Sequence, residues 1–265
     1  MEFKGVLRRL LAGQNLSQDE SAGLIGDIMD GAITPVQAAG LLTALAAKGE
    51  SVDEITGAAR AMRERSLHVE HDFATVADIV GTGGDGADTI NISTAAALVV
   101  AATGVPVAKH GNRAASSACG SADVLEANGL ELDLTPERAA QTLARSGFTF
   151  MFAARYHPAM RNVAPVRREL GVRTIFNVLG PLTNPARATH QVIGVARPEL
   201  LEPVAAVMRE LGTQAAAIVH GPGGIDEVGG DGVTQVVSFD GNGTRRWTLD
   251  PGEFGVHASR EAIGG

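Results

Sequence analysis

The sequence predicts an α/β fold in which a small N-terminal all-helical domain precedes a larger α/β domain with a mostly parallel sheet. Up to about residue 70, apolar residues recur at helical spacing behind three N-terminal capping motifs. After that point, apolar runs of strand length alternate with helical patterns, as is typical of a parallel sheet. We expect a helical domain over residues 1–70 and an α/β domain over residues 71–265.

The helical segment begins its helices at capping boxes, in which Ser or Thr is followed three residues later by Glu or Gln. Short amphipathic helices cannot bury their apolar stripes alone, so they are expected to pack on one another and to supply a homodimer surface. The three boxes are Ser17 with Glu20, Thr34 with Gln37, and Ser51 with Glu54.

The α/β segment is predicted from strand-length runs and the helical patterns between them. Residues 157–171 read as helical with no strand of their own, so residues of about 155–185 are expected to join the helical domain. The Asp240-Gly-Asn-Gly243 stretch predicts a hairpin. The predicted strands are 76–80, 105–108, 148–152, 191–196, 215–220, 234–239 and 244–249, and the helices are 93–102, 122–128, 136–145 and 198–211.

Composition narrows the class of ligand. The net charge of −8 over 265 residues gives no global attraction for nucleic acid or an anionic membrane, so small molecules are the expected partners. The longest apolar stretch, 94–107, is interrupted and too short to span a bilayer, and the first ten residues do not resemble a signal peptide. One cysteine, Cys119, excludes an intrachain disulfide and fits a reducing compartment. We expect a cytoplasmic protein.

Residues 78–94 combine an apolar run, a glycine-rich turn and a helix start. Glycines at 81, 83, 84 and 86 allow positive φ and close approach to a ligand. The helix that Asn91, Ser93 or Thr94 would cap points its free amides toward the turn, which predicts an anion cradle, with phosphate as its natural guest.

A dinucleotide site is a weaker interpretation of the same glycines. The residues Asp-Thr-Ile-Asn at 88–91 stand between the last glycine and the helix, and no carboxylate follows at the distance that a ribose needs. Asp85 in the turn would repel a pyrophosphate unless a divalent cation or a ligand hydroxyl lay between them.

Three further stretches carry candidate chemistry. The loop from Lys109 to Ser121 follows a predicted strand and offers cations, an amide and hydroxyls suited to a phosphorylated sugar. Residues 157–168 hold three arginines, any of which would suit a carboxylate or simply be solvated. Asp226 and Glu227 follow another strand and suit a hard cation, although adjacent acids on loops are usually only solvated.

Taken together, six motifs resemble the anthranilate phosphoribosyltransferase family over essentially the whole chain. They are Asp78-Ile-Val-Gly-Thr-Gly-Gly-Asp-Gly with Asn91-Ile-Ser-Thr94, Lys109-His-Gly-Asn-Arg113, Gly120-Ser-Ala-Asp-Val-Leu-Glu126, His157-Pro-Ala-Met160, and the run from Thr174 to Pro185. The resemblance implies the fold shared by nucleoside phosphorylases and these phosphoribosyltransferases, a homodimer formed through the helical domain, and a step of tryptophan biosynthesis. In that step phosphoribose passes from phosphoribosyl pyrophosphate to the amine of anthranilate.

The resemblance also implies site residues, with no covalent nucleophile among them. Mg²⁺ is expected at Ser93, Asp226 and Glu227, and anthranilate near Gly81, Asn112 and Arg167. Phosphoribosyl pyrophosphate is expected against Gly81, Gly84, Asp85, Thr89, Asn91, Ile92, Ser93, Thr94, Lys109, His110, Gly111, Asn112, Arg113, Ala114, Ala115, Ser116, Ser117 and Ser121.

The chain departs from the family pattern at three places. Ala118-Cys119 stands where many members carry bulkier or polar residues, and residues 222–224 lack an acid that often precedes the Asp-Glu pair. Family members also continue for several more helices, so the chain resembles a C-terminally truncated member. A pyrimidine nucleoside phosphorylase of the same fold and a non-catalytic binding protein are the alternatives.

Overall fold

The structure is a computed structural model that describes residues 3–87, 89–114 and 119–264. The chain forms two compact units, one made of residues 1–67 and 156–183, the other of residues 68–155 and 184–265. The first unit is helical and the second contains the sheet. This arrangement confirms the predicted fold class.

The α-helices of the described residues are, in chain order, α1 Phe3–Leu11, α2 Gln18–Met29, α3 Pro35–Lys48, α4 Val52–Glu64, α5 Ile92–Ala102, α6 Ser121–Ala127, α7 Pro136–Ser146, α8 Ala153–Tyr156, α9 Met160–Leu170, α10 Phe176–Leu182 and α11 Leu201–Glu210. The strands are β1 Ala77–Gly81, β2 Val107–Gly111, β3 Phe148–Phe152, β4 His190–Gly194, β5 Ala215–His220, β6 Thr234–Asp240 and β7 Gly243–Leu249. None of the described helices is long and apolar enough to cross a membrane.

The helical unit is built on the three predicted capping boxes, all of which form. In α4, the Glu54 amide donates to Ser51 Oγ at 3.2 Å and the Ser51 amide donates back to Glu54 Oε2 at 2.8 Å. Glu54 is fully buried, and its carboxylate also accepts from the Leu16 amide and from Lys48 Nζ at 2.9 and 2.8 Å. The helical pattern predicted to about residue 70 stops earlier, because α4 ends at Glu64.

The sheet has the order β3-β2-β1-β4-β5-β6-β7 among the described residues. The first five strands in this order are parallel, whereas β6 and β7 form the predicted antiparallel hairpin. Helices α5 and α7 pack on the strands that flank them, β1 and β3. The chain leaves β1 for β2 on one side and returns to β4 on the other, so β1 lies at a topological switch point, where ligands of such folds bind.

Several predicted bounds were wrong in the α/β unit. The strand predicted at 105–108 is β2, and its ladder with β3 continues to the pair Gly111 and Phe152. Lys109, His110 and Gly111 are therefore strand residues and not part of a loop. The helix predicted at 198–211 starts with a 3-10 turn at Pro198–Leu200 before α11. Helices α8 and α10 had no counterpart in the sequence prediction.

Candidate functional site

The candidate site lies at the carboxyl edge of the parallel strands. Gly81 ends β1 and is paired in register with Gly194, which ends β4. The turn after β1 is the glycine-rich cradle, and Gly83, Gly84 and Gly86 have φ of 69°, 73° and 69°. These left-handed conformations strain any other residue, which is the role predicted for the glycines.

Glycine at the strand ends also lets the acidic loop approach. A Cβ on Gly81 would overlap the Asp226 carboxylate, and a Cβ on Gly194 would overlap the Asp226 carbonyl oxygen. The backbone of residue 226 thus crosses the ends of β1 and β4 in direct contact with them. Gly81 was singled out from the sequence, whereas Gly194 was not, because only the strand pairing brings it to the loop.

The two adjacent acids contact the cradle and the start of α5. Asp226 Oδ2 accepts from the Gly83 amide at 2.6 Å, and Glu227 Oε1 accepts from the Ser93 amide at 3.2 Å. Asp85 bends back toward the same loop, since its Oδ2 accepts from the Asp226 amide at 3.4 Å. Three carboxylates and a serine therefore meet at the turn between β1 and α5.

Burial changes the acidity of the two acids. Desolvation raises the pKa of Asp226 to about 6, helped by the nearby Asp85 charge. Desolvation also raises the pKa of Glu227 to about 7, with a further contribution from the Asp226 charge. Acids held against each other in this way favour a bound cation, which would offset both the desolvation and the repulsion.

The donors fit Mg²⁺ in kind, because a serine hydroxyl and two carboxylates are the hard oxygen ligands that this ion takes. Within the described ranges, no group of three His, Cys, Asp or Glu residues could hold a metal by itself. A magnesium ion there would complete its shell with waters and substrate phosphate oxygens, as is common for this ion.

The start of α5 differs from the predicted cap. Asn91 occupies the N-cap position, but its side chain makes no capping hydrogen bond. The Glu227 carboxylate accepts from the Ser93 amide instead. A side-chain carboxylate of the protein therefore lies at the positive N-terminus of α5. The Thr82 and Thr94 hydroxyls are buried and have no hydrogen-bond partner in the described part of the chain. Both hydroxyls lie beside the cradle, where they could hydrogen-bond a polar ligand.

Lys109 is almost completely buried below the cradle. Its ammonium donates to the Ile79 carbonyl at 2.5 Å and to Ser93 Oγ at 3.3 Å. Desolvation lowers the pKa of Lys109, while the Asp78 and Glu227 charges act in the opposite direction. In this arrangement the ammonium orients the serine hydroxyl.

A buried polar network involving Asp78 supports this lysine, and sequence analysis gave it no role. Asp78 Oδ2 accepts from Asn184 Nδ2 at 2.7 Å, and Asp78 Oδ1 accepts from the His110 amide at 3.3 Å. Asn184 Nδ2 also donates to the Ala108 carbonyl at 2.8 Å. A carboxylate inside an otherwise apolar strand is the sequence signal that could have revealed the network.

The remaining predicted residues lie in three places. Asn112, Arg113 and Ala114 follow β2 and Ser121 begins α6, whereas Ala115, Ser116 and Ser117 lie outside the described residues, as does Ala118. Gly84 and Thr89 lie in the segment that joins β1 to α5, and Ile92 is the first residue of α5.

Arg167 belongs to the helical unit and lies on α9. Its guanidinium stacks over the Phe176 ring at 5.9 Å, and burial lowers its pKa. No carboxylate of the described residues pairs with it, whereas the neighbouring Arg161 and Arg168 are exposed. A half-buried cation of this kind is the best carboxylate ligand among the three predicted arginines.

A helical bundle followed by an α/β unit is the domain arrangement of one glycosyl transferase family, as two family models show. Residues 4–66 match the model of the glycosyl transferase family helical bundle domain, and residues 74–263 match that of its a/b domain. The chain belongs to this family and, within it, to the anthranilate phosphoribosyltransferases, as the relatives that follow show.

Curated relatives and solved structures agree in their names. Anthranilate phosphoribosyltransferase of Thermomicrobium roseum is 52% identical over 95% of this chain and 73% of the relative. That of Roseiflexus is 49% identical over 100% of this chain and 78% of the relative. The crystal structure of the Thermus thermophilus enzyme has a TM-score of 0.91 at 49% identity, covering 98% of this chain and 78% of its own. The Saccharomyces cerevisiae enzyme, in complex with phosphoribosyl pyrophosphate and Mg, has a TM-score of 0.90 at 28% identity, covering 99% and 77%.

Proposed function

We propose that this chain transfers phosphoribose from phosphoribosyl pyrophosphate to the amine of anthranilate, giving N-(5-phosphoribosyl)anthranilate and pyrophosphate in tryptophan biosynthesis. Family membership supports the activity. The observation that carries the assignment to this site is the contact of Asp226 and Glu227 with the amides of Gly83 and Ser93, because it joins a cation site to a phosphate cradle. The names of the relatives favour this function over nucleoside phosphorolysis.

The reaction requires alignment and charge stabilisation more than covalent catalysis. The nitrogen lone pair of anthranilate forms a bond to the anomeric carbon of the ribose as the bond from that carbon to the pyrophosphate oxygen breaks. The electron pair of the breaking bond leaves with the pyrophosphate, and the nitrogen then loses its proton to water. An enzyme achieves this by holding both substrates in line and by stabilising the leaving charge. No enzyme nucleophile takes part in this scheme.

The metal set we propose is Ser93, Asp226 and Glu227. Mg²⁺ bound there would neutralise charge on the pyrophosphate. Glu227 keeps the start of α5 in place through the Ser93 amide, and Lys109 orients the Ser93 hydroxyl from below. Asp226 is fixed at the ends of β1 and β4 by the two glycines that it contacts.

The substrate residues we propose are those implied by the family resemblance. Phosphoribosyl pyrophosphate would be bound by Gly81, Gly84 and Asp85 of the cradle, by Thr89 and residues 91–94, and by residues 109–117 with Ser121. The unsatisfied Thr94 hydroxyl supports a polar ligand there. For anthranilate we propose Gly81, Asn112 and Arg167, with the Arg167 guanidinium binding the carboxylate. A bidentate pair of this kind gives both affinity and orientation.

One assay tests the proposed function. Anthranilate fluoresces, and its fluorescence is lost on transfer, so the protein should consume the signal only when phosphoribosyl pyrophosphate and Mg²⁺ are both present. Release of pyrophosphate should match the loss of anthranilate. Phosphorolysis of a pyrimidine nucleoside with inorganic phosphate, without anthranilate turnover, would support the alternative enzyme. Binding of phosphoribosyl pyrophosphate without any turnover would support a binding protein.

We further propose a homodimer formed through the helical unit. Leu11, Val36 and Val172 of this unit are 72%, 82% and 57% exposed, which is unusual for large apolar side chains unless they are covered. Val36→Glu should shift the sedimentation coefficient toward the monomer, whereas Val256→Glu in the other unit should leave it unchanged. A monomeric wild-type protein would contradict this proposal.

Two further proposals follow from the sequence and the compact units. Residues 1–70 with about 155–185, and residues 71–265, would form separate domains, as the two units support. The single cysteine supports a cytoplasmic location. Separate unfolding transitions for helical and sheet signals would test the domain proposal, and cell fractionation would test the location.

A further inference from the structure

We propose that Asp123 is a positioning residue for phosphoribosyl pyrophosphate, acting through the backbone on both sides of residues 115–118 without touching the ligand. The proposal rests on the proposed function, because it concerns residues 112–121 of the same proposed site. It differs from the ligand set given above, since Asp123 lies on α6 and belongs to none of those groups.

One carboxylate oxygen of Asp123 holds two amides that are six residues apart. Its Oδ2 accepts from the Ala114 amide at 3.0 Å and from the Gly120 amide at 2.9 Å. Ala114 precedes residues 115–118, and Gly120 follows them after Cys119. A single side chain therefore links the segment that follows β2 to the segment that precedes α6.

Neighbouring contacts also join residues 112–114 to residues 120–122, a junction that we call the neck. The Asn112 carbonyl accepts from the Ala122 amide at 3.1 Å and from Ser121 Oγ at 3.2 Å. A Cβ on Gly120 would overlap the Ala114 amide nitrogen, so the two chain segments touch without a side chain between them. The two segments of the neck are in direct backbone contact, and Asp123 provides the only carboxylate that accepts from both of them among the described residues.

Arg113 holds Asp123 in place. Its Nη1 donates to Asp123 Oδ1 at 2.8 Å and its two terminal nitrogens donate to Glu126 at 2.7 and 2.9 Å. The guanidinium also lies over the Phe152 ring at 5.7 Å. The two α6 carboxylates thus hold the Arg113 guanidinium, and that guanidinium in turn fixes the Asp123 carboxylate.

The kinetic test uses Asp123→Ala, Asp123→Asn and a matched control. Asp123→Ala should raise the KM for phosphoribosyl pyrophosphate about 10-fold or more while kcat and the KM for anthranilate change less than about threefold. Asp123→Asn keeps an acceptor oxygen and should recover part of the loss. The control is Glu131→Ala, which breaks a bidentate surface pair with Arg138 at 2.9 and 2.8 Å and contacts neither side of the loop. An unchanged KM in Asp123→Ala, or an equal effect in the control, would overturn the proposal.

Hydrogen exchange separates this proposal from the proposed function. In the ligand-free protein, Asp123→Ala should speed exchange of the Ala114 and Gly120 amides, and the control should not. Unchanged exchange would overturn the proposal even in an active enzyme. Absence of turnover by the wild-type protein would instead contradict the proposed function. Weaker thermal stabilisation of Asp123→Ala by phosphoribosyl pyrophosphate with Mg²⁺ would then still support the positioning role, and equal stabilisation would overturn it.

Discussion

At the scale of single residues, the site depends on two buried acids. Ionising them is unfavourable unless a bound cation compensates their negative charge. Asp226 and Glu227 each accept a hydrogen bond from a backbone amide, yet burial holds the pKa of both carboxyls well above the usual range. Backbone amides alone do not compensate two buried charges, whereas a divalent cation would. Each acid thus holds the backbone through a hydrogen bond and also carries a negative charge that a cation could compensate.

The first prediction concerns these two acids. The double substitution Asp226→Asn with Glu227→Gln should raise the Mg²⁺ concentration that gives half-maximal activity, because amides are weaker ligands for a hard cation. The fold should persist, since amide oxygens can still accept from Gly83 and Ser93. Asp240→Asn, an exposed acid of the β6 to β7 turn, is the control. An unchanged Mg²⁺ concentration for half-maximal activity would show that Asp226 and Glu227 are not metal ligands.

Arg167 gives the second prediction. Arg167→Ala should weaken apparent anthranilate binding by about 1.5 to 3 kcal/mol, the scale for a hydrogen bond to a charged group. Phosphoribosyl pyrophosphate should be affected less, and Arg168→Ala, an exposed neighbour on α9, should affect neither. Steady-state kinetics with each substrate varied in turn provide the measurement. Equal losses for both substrates would show that Arg167 supports the site only generally.

The third prediction concerns pH and Asp78. Desolvation raises the pKa of this buried carboxyl to about 6, against 3.8 without burial. Well below pH 3.8 the Asp78 carboxyl is neutral in both the folded and the unfolded chain, and its contribution to stability is complete. As the pH rises to about 6 the unfolded chain ionises first, so the folded state loses about 2 to 3 kcal/mol.

Asp78→Asn should remove this part of the pH dependence. The free energy of unfolding from urea titrations between pH 4 and 7 should fall less steeply in the variant than in the wild type. Some slope remains, because Asp226 and Glu227 have pKa values raised in the same direction. Asp19→Asn, at an exposed position, is the control. Parallel curves for Asp78→Asn and wild type would contradict the prediction.

At the scale of elements, α4 depends on one acid. Glu54 closes the capping box, accepts from the Leu16 amide and pairs with Lys48, with its side chain fully buried and that of Lys48 only 6% exposed. One carboxylate therefore joins three segments: the start of α4, the segment before α2 and the end of α3. Losing one partner of a buried pair leaves the others without compensation.

The fourth prediction follows from this arrangement. Glu54→Ala should lower the free energy of unfolding of the helical signal by about 3 to 5 kcal/mol, measured by circular dichroism in urea. Glu54→Gln should lose less, because its amide oxygen still accepts. Asp53→Ala removes only an exposed hydrogen bond with Gln18 and should cost little. A similar loss for Asp53→Ala and Glu54→Ala would show that burial is not the cause.

At the scale of the whole molecule, the ligands should stabilise the protein by binding only its folded state. At a concentration of about 100 times Kd, phosphoribosyl pyrophosphate with Mg²⁺ should add about 2.7 kcal/mol, which raises Tm by about 5 to 10 °C. Chelation of Mg²⁺ should remove most of the shift. The Asp226 and Glu227 double variant should lose the Mg²⁺-dependent part in a scanning fluorimetry titration. A shift that survives chelation would separate substrate binding from the metal.

The sequence by itself determined what is local. The capping boxes at Ser17, Thr34 and Ser51 fix helix starts through contacts three residues apart, and the glycines of the cradle follow from φ values that other residues avoid. Strand and helix periods were enough to give the α/β class, and six motifs taken together indicated the family.

Only the tertiary structure decided which distant groups meet. The extension of β2 to Gly111 depends on its ladder with β3, and the burial of Lys109 depends on a strand and a helix more than ten residues away. Glu227 replaces the expected side-chain cap of α5 from 134 residues along the chain. Local propensity carries no information about such contacts, because their energy comes from desolvation and pairing that exist only after the strands align.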